Sequence, residues 1–270
     1  MFKKTALAAG IGLALSATAQ ADYRFQADAG ISGGDVSSIS LGGTAYLMPV
    51  DDTKGPLGEA AFIDQASSLS VLVSDGETDV DSASDVELES YGISGRYVTK
   101  QSGGWIVDLA AERDEVDGFE VDNYSIGVGK YLWDTTTLVF TYGNSDAEVG
   151  GDVDSYRLDL DHLITFGNNG GLKLHAAYGV TDIDDDEDFS DSEDVDVYEV
   201  DATWYVCKNL GLGIGYSNTE DSGEELEQYF ASAEYFISDS IAVGVAYTEA
   251  EVEDTGFETD SYLLTLSARF

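Results

Sequence analysis

From Tyr23 to Phe270, apolar residues recur at every second position in fourteen separate runs. The first run is Tyr23, Phe25, Ala27, Ala29 and Ile31, with Arg24, Gln26 and Asp28 between them. The eighth is Tyr156, Leu158, Leu160, His162 and Ile164, alternating with Arg157, Asp159 and Asp161. The last is Tyr262, Leu264, Leu266, Ala268 and Phe270, where Leu263 alone breaks the polar side. This period predicts strands with one apolar and one polar face. The third run, near 62–73, is the least regular.

The breaks between runs are of two kinds. Short ones are 133–135, 166–171, 207–209 and 237–240. Longer, acidic ones are 75–85, 114–119, 145–154, 181–196, 219–225 and 250–259. The two kinds alternate along the chain, so short turns fall on one rim and long loops on the other. Tyrosine and tryptophan gather at run ends (Tyr97, Trp105, Tyr142, Tyr178, Trp204, Tyr216, Tyr235, Tyr247), while alanine or glycine often holds run centres. A soluble sandwich would concentrate its bulk at strand centres. Aromatic girdles with alternating turn lengths instead predict an all-β, transmembrane antiparallel up-and-down β-barrel of fourteen strands, with twelve or sixteen as the neighbouring counts.

The N-terminus agrees. Lys3 and Lys4 precede a short apolar stretch, and Ala19-Gln20-Ala21 supplies a small-x-small cleavage site. Residues 1–21 therefore read as a cleaved signal peptide and 22–270 as the barrel. The apolar stretch is too short for a helical span, which needs ~20 residues. The single cysteine, Cys207, permits no internal disulfide and falls in a short turn.

The segment 49–62, PVDDTKGPLGEAAF, together with the first strand and the terminal Phe270, resembles a family of outer-membrane porins of gammaproteobacteria. The resemblance implies a porin-like barrel and supplies no catalytic residues. Fourteen strands lie between the filled eight-stranded barrels and the wide channels of ~16–18 strands. The expected function is thus a narrow water-filled channel for passive diffusion of ions and small hydrophilic solutes. A non-conducting structural or adhesive barrel is the alternative left open. The long link 48–61 contains both prolines, and whether it enters the lumen is open at this stage.

Charge refines the picture. After cleavage 53 acidic residues face 10 basic ones. Nucleic acid is excluded as a partner, because phosphate binding needs a basic surface. The polar faces put Arg24, Arg96, Asp108, Arg157, Asp159, Lys173, Glu199, Asp201 and Arg269 on the expected pore lining, with Arg24, Arg96, Lys173 and Arg269 toward the periplasmic end and Glu199 and Asp159 nearer the outside or mid-barrel. An acidic outer vestibule predicts weak cation preference. No cofactor is expected apart from loop-bound Ca2+ or Mg2+. Asp182, Asp184, Asp186 and Glu193 have EF-hand-like spacing, although Glu187 stands where that loop needs glycine. The expected surroundings are outer-membrane lipid and lipopolysaccharide. Tyr262, Leu264, Leu266 and Phe270 form the expected assembly signal, read by periplasmic chaperones and the barrel-assembly machinery. A monomer is favoured over a trimer. An enzyme is not expected: of the two histidines, His162 faces outward, and His175 faces the lumen below the rim beside Lys173.

Overall fold

A computed structural model describes residues 22–78, 86–100, 103–147, 151–167, 169–183, 193–221, 224–252 and 257–270. Fourteen strands close into one antiparallel barrel: β1 (Asp22–Gly34), β2 (Val36–Asp51), β3 (Ser68–Thr78), β4 (Val86–Thr99), β5 (Trp105–Val116), β6 (Phe119–Trp133), β7 (Thr136–Ala147), β8 (Gly151–Thr165), β9 (Gly171–Ile183), β10 (Glu193–Cys207), β11 (Leu210–Asp221), β12 (Glu224–Ser238), β13 (Ile241–Val252) and β14 (Phe257–Arg269). Each strand pairs with its neighbours in sequence, and β14 returns to β1 from Gln26↔Arg269 to Gly34↔Ser261. Closure leaves no open edge, and in hydrocarbon every unpaired backbone group costs several kcal/mol. Phe270 finishes the seam. Its carbonyl accepts the Arg24 and Phe25 N–H groups at 3.0 and 2.8 Å, and its ring stacks on Phe25 at 6.3 Å.

The pleat sorts the side chains. Leu109, Val200 and Ile214, at strand centres, stand between half and two-thirds exposed on the outside. In water that would be costly; against lipid tails it is the favoured state. Trp105, Trp133, Trp204, Tyr97 and Tyr235 mark the rim that carries the short turns and the C-terminus. The other girdle is tyrosine. There Tyr142 packs against Tyr156, Tyr178 against Tyr198 and Tyr216 against Tyr229 with tilted rings, their centroids 5.1–5.5 Å apart. Their hydroxyls donate to the carboxylates just above: Tyr142 to Asp154, Tyr178 to Asp196 and Tyr216 to Glu227, each at 2.7 Å. An amphipathic ring fits this boundary, its body in lipid and its hydroxyl in the headgroup layer.

Three expectations change. First, the described residues of the acidic loops are strand apart from the turn at Asp117-Gly118. β7 continues to Ala147 and β8 begins at Gly151, and β5 meets β6 across Asp117-Gly118, both with positive φ (51° and 83°). That two-residue turn needs the left-handed region, which Asp and Gly tolerate. Backbone pairing persists after the apolar alternation stops, because outside the lipid a strand needs only its ladder. Second, Phe62 is not in β3; it lies on a short helix, α1 (Ala60–Ile63). Third, Tyr23 faces inward and is buried. The pairing passes from Tyr23↔Val50 to Phe25↔Ala45, so residues 46–49 of β2 oppose Arg24 alone. A bulge of this kind turns one side chain off the regular alternation.

Candidate pore and the segment that narrows it

The link between β2 and β3 folds into the lumen at the short-turn rim. Pro56 leads into a 3-10 turn, Leu57–Glu59, followed by α1, and Gln65 at φ 51° turns the chain back out to β3. The barrel wall holds this plug through its backbone. The Leu57 N–H donates to the Lys208 carbonyl at 2.9 Å, and Arg269 Nη1 donates to the Leu57 carbonyl at 2.8 Å. Tyr131 donates its hydroxyl to the Phe62 carbonyl at 3.0 Å.

Packing does the rest. Leu57 is fully buried against Phe236 and Ala242. Phe62 packs on Val98, Ile106, Tyr131 and Val139, and Ala60 packs with Tyr23 and Val50. Burying one leucine side chain is worth about 1.5–3 kcal/mol, so these contacts hold the segment in place. Tyr131, Tyr205 and Phe236 each stand just before a register shift at a short turn, at Tyr131/Trp133, Tyr205/Cys207 and Phe236/Ser238. All three face inward by the ordinary alternation of their strands, and the bulge that follows each closes the short turn beneath the plug. Gly58 sits close to the wall: a Cβ there would lie 2.8 Å from Glu234 Oε2 and 3.0 Å from the Tyr205 hydroxyl, so both side chains would have to shift. At the outer base, Lys54 bridges Asp51 and Asp64 at 3.2 and 3.0 Å, and these carboxylates raise its pKa. Asp52 is buried, which raises its carboxyl above the ordinary range against the pull of Lys208 at 4.0 Å.

A ladder of alternating charge climbs one wall from the plug. Glu59 of the 3-10 turn accepts from Tyr205 at 2.6 Å and pairs with Lys173 at 3.2 Å. Lys173 lies 3.7 Å from Asp161, which faces His175 Nδ1 at 3.2 Å. His175 Nε2 is 3.9 Å from Asp159. Arg157 then joins Asp159 and Glu199 at 2.8 and 2.7 Å. Arg96 and Asp108 make a separate two-bond pair, both at 2.8 Å.

The opposite wall, formed by β14 and β1–β3, carries mostly small and hydroxyl residues inward. A cavity of about 500 Å3 there is lined by Ser40, Thr44, Ser70, Thr265 and the apolar Leu72 and Leu263. A second, of about 510 Å3, lies against the plug's inner face beside Glu59, Arg96 and Lys173. The two share Thr44, Ser70, Ser94 and Ala110, so open space runs continuously along β2–β5.

Of the residues the sequence places on the pore, Arg96, Asp108, Arg157, Asp159, Lys173, Glu199 and Asp201 come together on this charged side. Arg269 is buried beneath the plug, its guanidinium 4.8 and 4.6 Å from the Tyr23 and Phe236 rings. Arg24 is exposed at the bulge that opens β1 and stands outside the ladder. Tyr262 and Leu264 lie exposed on the outer face of β14, with Leu266 partly covered. Of the loop carboxylates, Asp184 and Asp186 lie outside the described residues. Asp182 and Glu193 are on paired strands, opposite Asp194 and Ile183. Sequence reasoning missed Leu57, Glu59 and Phe62 as the residues that fill the lumen; the signal was the one long link on a rim of short turns. His162, on the outer face near the periplasmic girdle, shares a 2.7 Å hydrogen bond with the buried Thr136, while Cys207 ends β10 as an exposed free thiol.

A closed barrel with a lipid-facing band, a polar lumen and both termini of the barrel on the short-turn rim is the architecture of bacterial outer-membrane channels. Residues 4–197 match the profile of the family described as "putative general bacterial porin". The chain belongs to this porin family. No curated relative matches it in sequence. Among solved structures it is similar to Acinetobacter baumannii outer membrane protein Omp33, with a TM-score of 0.64 and 22% identity over 93% of this chain and 99% of that one. It is also similar to a bacterial polysaccharide outer membrane secretin (TM-score 0.55, 12% identity, 93% and 100% covered) and to the NanC porin (0.50, 8%, 91% and 100%). At these identities the likeness is one of fold. The porin is thus a protein of the Gram-negative outer membrane, a channel rather than an enzyme.

Proposed function

We propose that this porin is a narrow, weakly cation-preferring channel for ions and small hydrophilic solutes. The observation that carries the reading is the continuous open space along β2–β5, which passes the plug's inner face. The plug keeps the passage small, so large substrates are excluded.

Cation preference rests on the inward-facing acids. Asp108, Glu112, Asp159, Asp161, Glu199 and Asp201 share the lumen of β4–β10 with only Arg96, Arg157 and Lys173, under acidic outer strands that concentrate counter-ions. The same outer carboxylates, Asp182 among them, hold Ca2+ or Mg2+ that bridges to anionic lipopolysaccharide. The barrel works as a monomer, and its terminal strand is the segment the assembly machinery recognises.

Single-channel recording on refolded residues 22–270, with reversal potentials in a KCl gradient, tests the function. Small conductance steps with K+ favoured over Cl− are expected. No steps, together with no swelling of loaded liposomes in any small sugar, would leave a structural barrel instead. Phe270→Ser is expected to lower assembly in cells far more than conductance of the molecules that do assemble.

A further inference from the structure

We propose that the lumen face of β9 and β10 is a binding site for a divalent first-row transition-metal ion of the Zn2+ type, held by His175, Glu199 and Asp201. One ligand atom from each lies within 4.8 Å of the others. A single ion about 2–2.2 Å from each donor fits between them with a small side-chain adjustment. The strand register creates the cluster. His175 stands directly opposite Asp201, and Glu199, opposite Ala177, follows two residues along on the same face.

Three features prepare these side chains as ligands. Asp161 stands across from His175 on the other side, with Oδ1 3.2 Å from Nδ1. A carboxylate there holds the Nδ1 proton and leaves the Nε2 lone pair for a metal, as it does around metal-ligating histidines. Arg157 engages Glu199 through Oε2, which leaves Oε1 free. Asp201 makes no hydrogen bond or salt bridge with a described residue. Around the cluster Glu59, Asp159, Asp161, Glu199 and Asp201 face only Arg157 and Lys173, an excess that a divalent cation offsets.

The donor set selects the ion. One imidazole nitrogen with two carboxylates suits Zn2+ and its neighbours, whereas Ca2+ and Mg2+ take oxygen ligands in larger shells. The fourth coordination position opens to the lumen. An ion held here adds positive charge on the acidic wall, so it lowers cation current.

The test is calorimetric titration of Zn2+ into the detergent-folded mature protein, with Mg2+ in excess to occupy the outer carboxylates. A saturable one-to-one phase is expected. His175→Gln and Asp201→Asn are each expected to weaken it by about tenfold or more. Calorimetry reads the site whether or not the barrel conducts, so failure here is separable from failure of the channel reading. In bilayers Zn2+, and not Mg2+, lowers the single-channel current of the unaltered protein, and Asp201→Asn removes the effect. Asp201→Asn keeps the side chain's shape and breaks no hydrogen bond to a described residue, so it is the variant that tests the site if His175→Gln does not fold. No one-to-one phase in the unaltered protein, or equal Zn2+ affinity in the folded variants, would overturn the site.

Discussion

The two walls of the lumen solve different problems. The wall of β8–β10 carries the ladder from Glu59 to Glu199, in which nearly every charge meets a neighbour of opposite sign. The wall of β14 and β1–β3 has few charges and many hydroxyls, such as Ser32 with Ser38 at 2.9 Å and Thr44 with Ser70 at 2.9 Å. Long charged side chains fill space and pair with the plug; short ones leave room. The plug packs around the whole rim and pairs its charge, Glu59, with this wall, while the open space above it lies along β2–β5. One side of the barrel anchors and tunes charge, and the opposite side sets the width.

The sharpest way to break this division is to remove the plug. Replacing residues 53–66 by a short Gly-Ser turn is expected to raise single-channel conductance several-fold while the barrel still shows heat-modifiable migration in gels. An unchanged conductance would mean that the constriction lies elsewhere. Lys173→Gln comes next. It leaves Glu59 buried with only Tyr205 as partner, and removing one member of a buried pair costs about 3–5 kcal/mol. The expected result is frequent opening events and faster proteolysis within 53–66, with the barrel intact.

A third pair of variants separates width from charge. Ser70→Trp on the small-residue wall is expected to cut conductance and leave the reversal potential in place. Asp159→Asn with Glu199→Gln on the charged wall is expected to shift the reversal potential toward Cl−, with a smaller change in conductance. The reverse outcome would exchange the roles of the walls. The smallest effect concerns Asp52. Its folded pKa is raised by burial, so its contribution to plug docking is present below the unfolded carboxylate range and is lost as pH rises through the folded value. Asp52→Asn is therefore expected to stabilise the docked plug modestly at neutral pH and to flatten its acid dependence, read by proteolysis of 53–66 across pH.

The barrel was legible in the chain because a strand between lipid and water must alternate. Leu158 and Leu160 against Arg157 and Asp159 reveal both faces without any knowledge of neighbours. The extent of the strands was less legible. Above the tyrosine girdle both faces of β9 and β10 meet water, so residues such as Asp182 and Asp196 keep the ladder while losing the pattern. Tyr23 misled for a different reason: a bulge is a matter of pairing with β2, and alternation within β1 carries no trace of it.

The candidate site divides in the same way. Which face of its strand a residue such as Arg157 or Asp159 takes is read from period two, since it is set by its own strand, whereas Tyr23 at the bulge and Leu57, Glu59 and Phe62 of the plug lie outside that pattern. Which of the inward side chains meet is not read from it. His175 and Asp201 are far apart in sequence and become neighbours only through the β9–β10 register. Glu59 reaches Lys173 and Tyr205 only because a link with no alternation of its own folds inward. Local sequence decides the environment of each strand face, because the lipid–water boundary acts on every residue separately. Pairing register and the path of an irregular link are properties of the closed barrel, and they decided where the charges meet, where the passage narrows and where a metal ion can sit.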